Sequence, residues 1–255
     1  MDTIQITDRK DPLFGTFLKI YSSSFPVFEQ RTDIQQDMAF GDIHYHLAVY
    51  MDSEAHSIGQ DKTRGSGQED FAGFISYWEF DGYIYIEHFA VNNTIRGKGY
   101  GSKILDSFIT AHLPKRIVLE IDPLEDKISR ARLRFYERCG FSANVYDHRH
   151  PPYRSGYSPH PLIVLSTHGE ISETEYKRFS NDLSYILMNG RLIHLWFSLS
   201  HSRRLWSGRC FTLKSSNLAT KPFPSGHAPI TPTLIGILSC IQALRIITYS
   251  LSSNE

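Results

Sequence analysis

Hydrophobic and polar positions alternate or recur along the first two thirds of the chain in a readable order. Ile4 and Ile6 alternate with polar neighbours, the pattern of a short strand. From Pro12 to Tyr21 the residues Leu13, Phe14, Phe17, Leu18 and Tyr21 recur at helical spacing, and Ser22-Ser23-Ser24 with Pro26 predicts the break. Thr32 is placed to cap a second short helix reaching Phe40. His44 to Met51 reads as a strand, and residues 52–70 as a polar, glycine-containing loop. Phe71 to Phe80 and Tyr83 to Val91 read as strands joined by Asp81-Gly82, a hairpin signal. A helix from Gly99 to Ala111, a strand from Arg116 to Ile121 and a helix from Ile128 to Cys139 ending at Gly140 follow. Phe141 to Tyr146 and Leu162 to Ser166 read as two more strands, and Ser172 to Leu187 as a last helix. A meander of strands followed by strand–helix–strand units predicts a mixed sheet in an α/β or α+β fold.

The pattern stops at about residue 188, and composition changes there. Between Asp182 and Glu255 there is no acidic residue, while Arg191, Arg203, Arg204, Arg209, Lys214, Lys221 and Arg245 all fall in that span. We therefore divide the chain into a domain at 1–188 and a basic, acid-free extension at 189–255, poorly ordered or not native-like in composition. The extension reads as a segment never selected for folding, against a basic membrane- or partner-associated tail. Leu234 to Leu251 is apolar but carries Arg245 near its centre, so no membrane span is expected. Pro224-Ser225-Gly226-His227 resembles a fragment of a phosphatase motif, but the blocks that would complete it are missing, and we read it as coincidence.

The 255 residues carry 27 basic and 27 acidic side chains, which gives no global reason to expect a nucleic-acid partner. Cys139, Cys210 and Cys240 have neither metal-ligand spacing nor an even count, so a reducing, cytoplasmic setting is the simpler expectation. The first residues lack the basic and apolar regions of a secretory signal. The pairs His44/His46 and His148/His150 have no partner at a recognised metal spacing; no metal is expected, and these histidines read as solvated or structural.

The candidate chemistry lies where a strand runs into a glycine-rich turn and a helix. After the strand Tyr83–Val91 comes Arg96-Gly97-Lys98-Gly99-Tyr100-Gly101. Glycines let a backbone approach a bulky anion, amides of a first helical turn attract negative charge, and Arg96 and Lys98 add to it. The segment lacks P-loop spacing. It nearly fits a dinucleotide fingerprint, with Gly97, Gly99, Ser102 and a later Asp122, but such turns follow the first strand of their domain.

Arg96-x-x-Gly99-x-Gly101 resembles motif A of the GNAT N-acetyltransferase superfamily, and Tyr136-Glu137-Arg138-Cys139-Gly140-Phe141 resembles its motif B. The resemblance covers roughly residues 1–168. It implies a splayed mixed sheet flanked by helices, here with an atypical C-terminal extension. It implies acetyl-CoA as cosubstrate, its pantetheine arm on Phe89, Ala90 and Val91. Its pyrophosphate would lie on the segment Arg96, Gly97, Lys98, Gly99, Tyr100, Gly101 and Ser102. The acceptor would be a primary amine of a small molecule or peptide, and a homodimer is left open. Tyr136 is implied as the acid that protonates the departing thiolate.

For the base, strict alternation puts Tyr83, Tyr85, Glu87, Phe89 and Val91 on one face and Ile84, Ile86, His88 and Ala90 on the core face. Glu87 is then the candidate base, with a structural ion pair as its rival role. His88 has a suitable pKa but the wrong face, and Glu120 is a second carboxylate. The segments Phe25–Glu29 and Pro151–Arg154 would line the acceptor side. An acyl-CoA sensor without catalysis and a dinucleotide-dependent oxidoreductase are the alternatives.

Overall fold

A computed structural model describes residues 1–52 and 70–186. The expected loop at 52–70 falls almost wholly outside them, as does the extension at 189–255. In chain order the elements are β1 (Asp2–Ile6), α1 (Phe14–Ser24), α2 (Asp33–Phe40), β2 (Tyr45–Met51), β3 (Phe71–Glu79), β4 (Tyr83–Val91), α3 (Tyr100–Ala111), β5 (Arg116–Ile121) and α4 (Lys127–Arg138). The strands β6 (Phe141–Ala143), β7 (Arg149–His150), β8 (His160–Pro161) and β9 (Ile163–Thr167) follow. Residues 173–186 form α5.

A seven-stranded sheet runs β1-β2-β3-β4-β5-β9-β6, and β7 pairs separately with β8. β1 to β4 form an antiparallel meander, β4 and β5 are parallel, and β9 is antiparallel to both β5 and β6. Helices cover both faces. Phe14, Phe17 and Tyr21 of α1 and Phe179, Leu183 and Ile186 of α5 pack on one face with Phe74, Tyr85 and Val118. Ile104, Leu105 and Phe108 of α3 and Tyr136 of α4 pack on the other with Ile84, Ile86 and Ile117.

Local sequence explains the starts of these helices. Thr32 and Gln35 close a reciprocal capping box at α2, and Asp126 and Ser129 do the same at α4. Both boxes satisfy amides that a helix start leaves without partners. α1 continues through the three serines, which the sequence reading took as its break; Ser23 spends its hydroxyl on the Ile20 carbonyl at 3.0 Å, a bond compatible with the helix. β6 is also shorter than the expected Phe141–Tyr146. At Asn144, just past the strand, both the backbone amide and the side-chain amide donate to the Val164 carbonyl, and the side-chain amide also reaches Ser166 Oγ.

Two irregularities position the site. β4 pairs with β5 only from Tyr83 to Tyr85, opposite Arg116 to Val118. Beyond that point β4 stays with β3 and β5 with β9, so the two strands part. Alternate peptide groups of β4 from Ile86 to Ala90 therefore face the gap without a ladder partner in β5.

The second irregularity is a bulge. Ser76 pairs with His88 and Tyr77 with Ile86, which leaves Glu87 as the extra residue of β4. The bulge corrects the strict alternation expected from sequence. Tyr83, Tyr85 and Ala90 lie on the α1/α5 face, whereas Ile84, Ile86, Phe89 and Val91 lie on the α3/α4 face. Glu87 and His88 are consecutive, yet both reach groups on the α1 side. His88 is thus not on the isoleucine face.

Candidate active site

The turn after β4 is built for an open helix start. Asn92 accepts from the backbone and hydroxyl of Thr94 at 3.2 and 3.0 Å and directs the chain into a single 3₁₀ turn. Gly97 and Gly99 then take φ of +80° and +82°, a region that any side chain would strain. Gly99 is the N-cap of α3, and no side chain caps the first-turn amides. Those donors remain available to an anion, with Lys98 exposed beside them.

Gly101 has a different task. A Cβ there would come within 3.4 Å of the Phe135 ring and 3.7 Å of a Val91 methyl, so the absent side chain lets α3 approach α4 and β4. Arg96 is partly engaged within the protein. Its guanidinium donates to the Val91 carbonyl at 3.2 Å and reaches Ser24 Oγ at 3.4 Å, tying the end of β4 to α1. Tyr100 Oη donates to the Asp52 carboxylate.

Tyr136 lies on the α3/α4 side of the parted strands. It is 8% exposed, between Phe135 and Phe141 at ring separations of 5.1 and 5.6 Å. Burial pushes its hydroxyl up to about 12, so it holds its proton firmly. Among the described residues its hydroxyl has no hydrogen-bond partner.

On the other side, Glu87 is fully buried and saturated with donors. Arg31 grips it in a fork, with Nη2 2.5 Å from Oε1 and Nε 3.3 Å from Oε2. Tyr153 Oη donates to Oε1 at 2.6 Å and Trp78 Nε1 to Oε2 at 3.1 Å. The guanidinium lies over the rings of Trp78 and Tyr153, 5.3 Å from each, and of Tyr45 at 5.6 Å. Burial alone would raise the carboxyl; the Arg31 charge and these hydrogen bonds outweigh it and hold Glu87 below the usual carboxylate range. A carboxylate so held is a weak proton acceptor. The geometry favours the ion-pair role over the role of base.

His88 is likewise occupied. Nε2 lies 2.9 Å from the Glu29 carbonyl and Nδ1 lies 3.2 Å from Ser76 Oγ. Burial lowers its pKa to about 4, so it is neutral.

Of the solvated or structural roles expected for His148 and His150, the solvated one does not hold. Each is 3% exposed, and together they enclose Glu120 of β5. His148 Nε2 contacts Glu120 Oε1, His150 Nδ1 lies 3.0 Å from Oε2, and Tyr85 Oη donates to Oε2 at 2.5 Å. Burial would raise Glu120, but the two imidazoles hold it far below the carboxylate range. The other pair divides: His44 Nδ1 meets the Glu79 carbonyl at 2.9 Å, and His46 stacks on Tyr77.

Sequence reasoning had therefore found Glu87 and Glu120 but neither cluster around them. Arg31 and Glu87 are 56 positions apart, and Tyr153 and Glu87 are 66 apart. No local motif carries such pairings. The one available signal was the pair His148/His150, whose spacing of two puts both rings on one side of an extended segment.

The sheet parts beside a glycine-rich helix start, and comparison with known proteins finds similar chains. Residues 61–143 match the family described as acetyltransferase (GNAT) domain. A structure from Bacteroides thetaiotaomicron, described as a GNAT-family acetyltransferase, superposes with a TM-score of 0.63 and 26% identity. It covers 73% of this chain and 98% of its own. The Bacillus subtilis (strain 168) protein YjbC, described as a candidate acetyltransferase, is 31% identical over 96 residues. That match takes in 36% of this chain and spans 49% of YjbC, about half its length. By sequence over residues 61–143 and by superposition, the chain resembles GNAT acetyltransferases. The dinucleotide near-match is overturned by the fold: the glycine turn follows the fourth strand of a largely antiparallel sheet, and Asp122 is paired with Arg132.

Proposed function

We propose that this protein transfers an acetyl group from acetyl-CoA to a primary amine of a small molecule or peptide. One observation carries the reading: β4 and β5 part immediately beside the uncapped start of α3. A pantetheine arm could add to the free edge of β4 at Phe89, Ala90 and Val91, as a strand would. The pyrophosphate could take the amides between Gly97 and Ser102, supported by Lys98 and by Arg96. Tyr100, bonded to Asp52, would border that anion site. Among the described residues nothing lies within 4 Å of where a Cβ of Gly97 or Gly99 would stand, so that side of the turn could take a bulky group.

We read Tyr136 as the acid. Its proton is retained at neutral pH, and its hydroxyl carries no protein partner among the described residues. It would donate that proton to the departing thiolate. No helix among the described residues is long and apolar enough to cross a membrane. The cytoplasm is the proposed setting.

The test is a thiol-release assay with acetyl-CoA over a panel of alkyl monoamines, alkyl diamines and amino-terminal peptides. Amine-dependent release, with a rise in melting temperature on adding acetyl-CoA, is expected. A melting temperature raised by acetyl-CoA without release to any amine would support a non-catalytic acyl-CoA sensor. No shift at all would refute both readings.

A further inference from the structure

The Glu120 cluster has an open end. His150 Nδ1 is fixed on Glu120, and a carboxylate at that nitrogen makes it the N–H of the neutral ring. The opposite nitrogen, Nε2, is buried and has no hydrogen-bond partner among the described residues. Its neighbour is His160, ring centroids 5.6 Å apart, and both nitrogens of His160 are likewise buried without partners among the described residues. Glu29 Oε1 lies 3.7 Å from His160 Nε2, beyond hydrogen-bond reach. Burial and then the Asp122 charge push the Glu29 carboxyl up to about 7.

Buried acceptors without partners, here His150 Nε2 and one nitrogen of neutral His160, are costly unless a ligand supplies donors. A primary ammonium group supplies three. The niche lies on the α1 side of the sheet, between β5 and the segment that follows α1, where Glu87 is already saturated.

We propose that His150, held by Glu120, is the base that takes a proton from the acceptor's ammonium group, and that Glu29 and His160 line the niche receiving it. This rests on the acetyl-transfer reading. The ammonium gives one proton to His150 Nε2, and the freed lone pair forms a C–N bond to the thioester carbonyl carbon. The C–S bond breaks with its electrons going to sulfur, which takes a proton from Tyr136. The second proton lost by the new amide nitrogen restores Tyr136, and His150 releases its own to solvent.

The charges facing His150 come from several elements: Glu120 of β5, Glu87 of β4, Glu29 after α1, and the rings of His148, His160 and His88. Burial lowers the His150 pKa, and the three carboxylates together raise it above the ordinary histidine value.

The experiment uses the full chain and the panel amine that the wild type acetylates fastest. kcat/KM should rise with pH through the His150 titration. His150→Gln should lower it about 100-fold or more and abolish that limb. Glu120→Gln should slow turnover and move the limb to lower pH, because a negative charge beside the ring is lost. Both variants should keep the acetyl-CoA-induced rise in melting temperature. A structural role alone would leave the limb in place. Retention of rate within about threefold in His150→Gln, or an unmoved limb in Glu120→Gln, overturns the proposal while leaving acetyl transfer intact. Nitrogen-15 NMR of the wild-type imidazole, above its titration midpoint, gives a readout independent of any variant: a proton on Nε2 rather than Nδ1 overturns it. A wild type that acetylates no amine removes the proposed function and this inference together.

Discussion

The Arg31–Glu87 pair allows a quantitative test of the α1 side of the site. Arg31→Met keeps most of the side-chain volume but leaves a carboxylate with no exposed side-chain surface and no cation. Breaking a buried pair from one side costs about 3–5 kcal/mol. Trp78 and Tyr153 still donate to the two oxygens, so the lower end is expected. Glu87→Gln, which leaves a buried guanidinium without its anion, should cost about the same. The double variant Arg31→Met/Glu87→Gln leaves neither charge of this pair, so it should be more stable than the sum predicts by about 2–3 kcal/mol.

The sign of the pH dependence follows from the same charges. In the wild type the folded Glu87 carboxyl sits below its unfolded value. Its contribution is present above that unfolded value, about 4.3, and is lost as pH falls through the folded value. In Arg31→Met the main opposition to burial is gone, and burial should outweigh the hydrogen bonds from Trp78 and Tyr153, so the folded value rises above the unfolded one. The contribution is then greatest at low pH and declines as pH rises through the folded value. The stability gap between wild type and Arg31→Met should therefore widen from pH 5 to pH 8. Urea denaturation at pH 5, 6.5 and 8 measures it. Single-variant losses below about 1 kcal/mol that simply add in the double variant, or a gap flat with pH, would refute the reasoning.

Three further outcomes are expected. Gly73→Ala would place a Cβ 2.6 Å from the Ala90 carbonyl and 3.2 Å from Val91 Cα, forcing β3 and β4 apart; a loss of about 2–3 kcal/mol should appear in thermal or urea unfolding. Tyr136→Phe should lower turnover at least tenfold while leaving the acetyl-CoA-induced melting shift unchanged, and unchanged turnover would sink the acid role. His88 has a folded pKa of about 4 against about 6.5 unfolded, so its neutral form contributes about 3 kcal/mol above pH 6.5 that is lost as pH falls towards 4; His88→Gln should flatten that part of the stability profile.

The fold was legible because most of its signals are local. Apolar spacing located the helices and strands, Thr32 marked a cap, and Asp81-Gly82 marked the hairpin joining β3 and β4. The glycine turn was legible because φ near +80° at Gly97 and Gly99 leaves few other residues possible. The site's interior was not, because its partners come from distant positions. Arg31 stands on no motif, and Tyr153 follows two prolines in a segment that reads as a loop. The alternation rule erred at Glu87 for a physical reason: a bulge requires no distinctive residue, so nothing in Tyr83–Val91 announces it.

That extra residue also sets how β4 tolerates change. Alternation along a strand is a phase, and Glu87 shifts it once, midway. Upstream and downstream halves of β4 are in register with the core only because the shift is present. A substitution at Glu87 alters one side chain. Its deletion would remove the extra residue and the bulge together, leaving Phe89, Ala90 and Val91 on the layers they already face and depriving Arg31 of its anion. In this strand the added length serves the buried charge, and the bulge keeps that addition from disturbing the packing on either side.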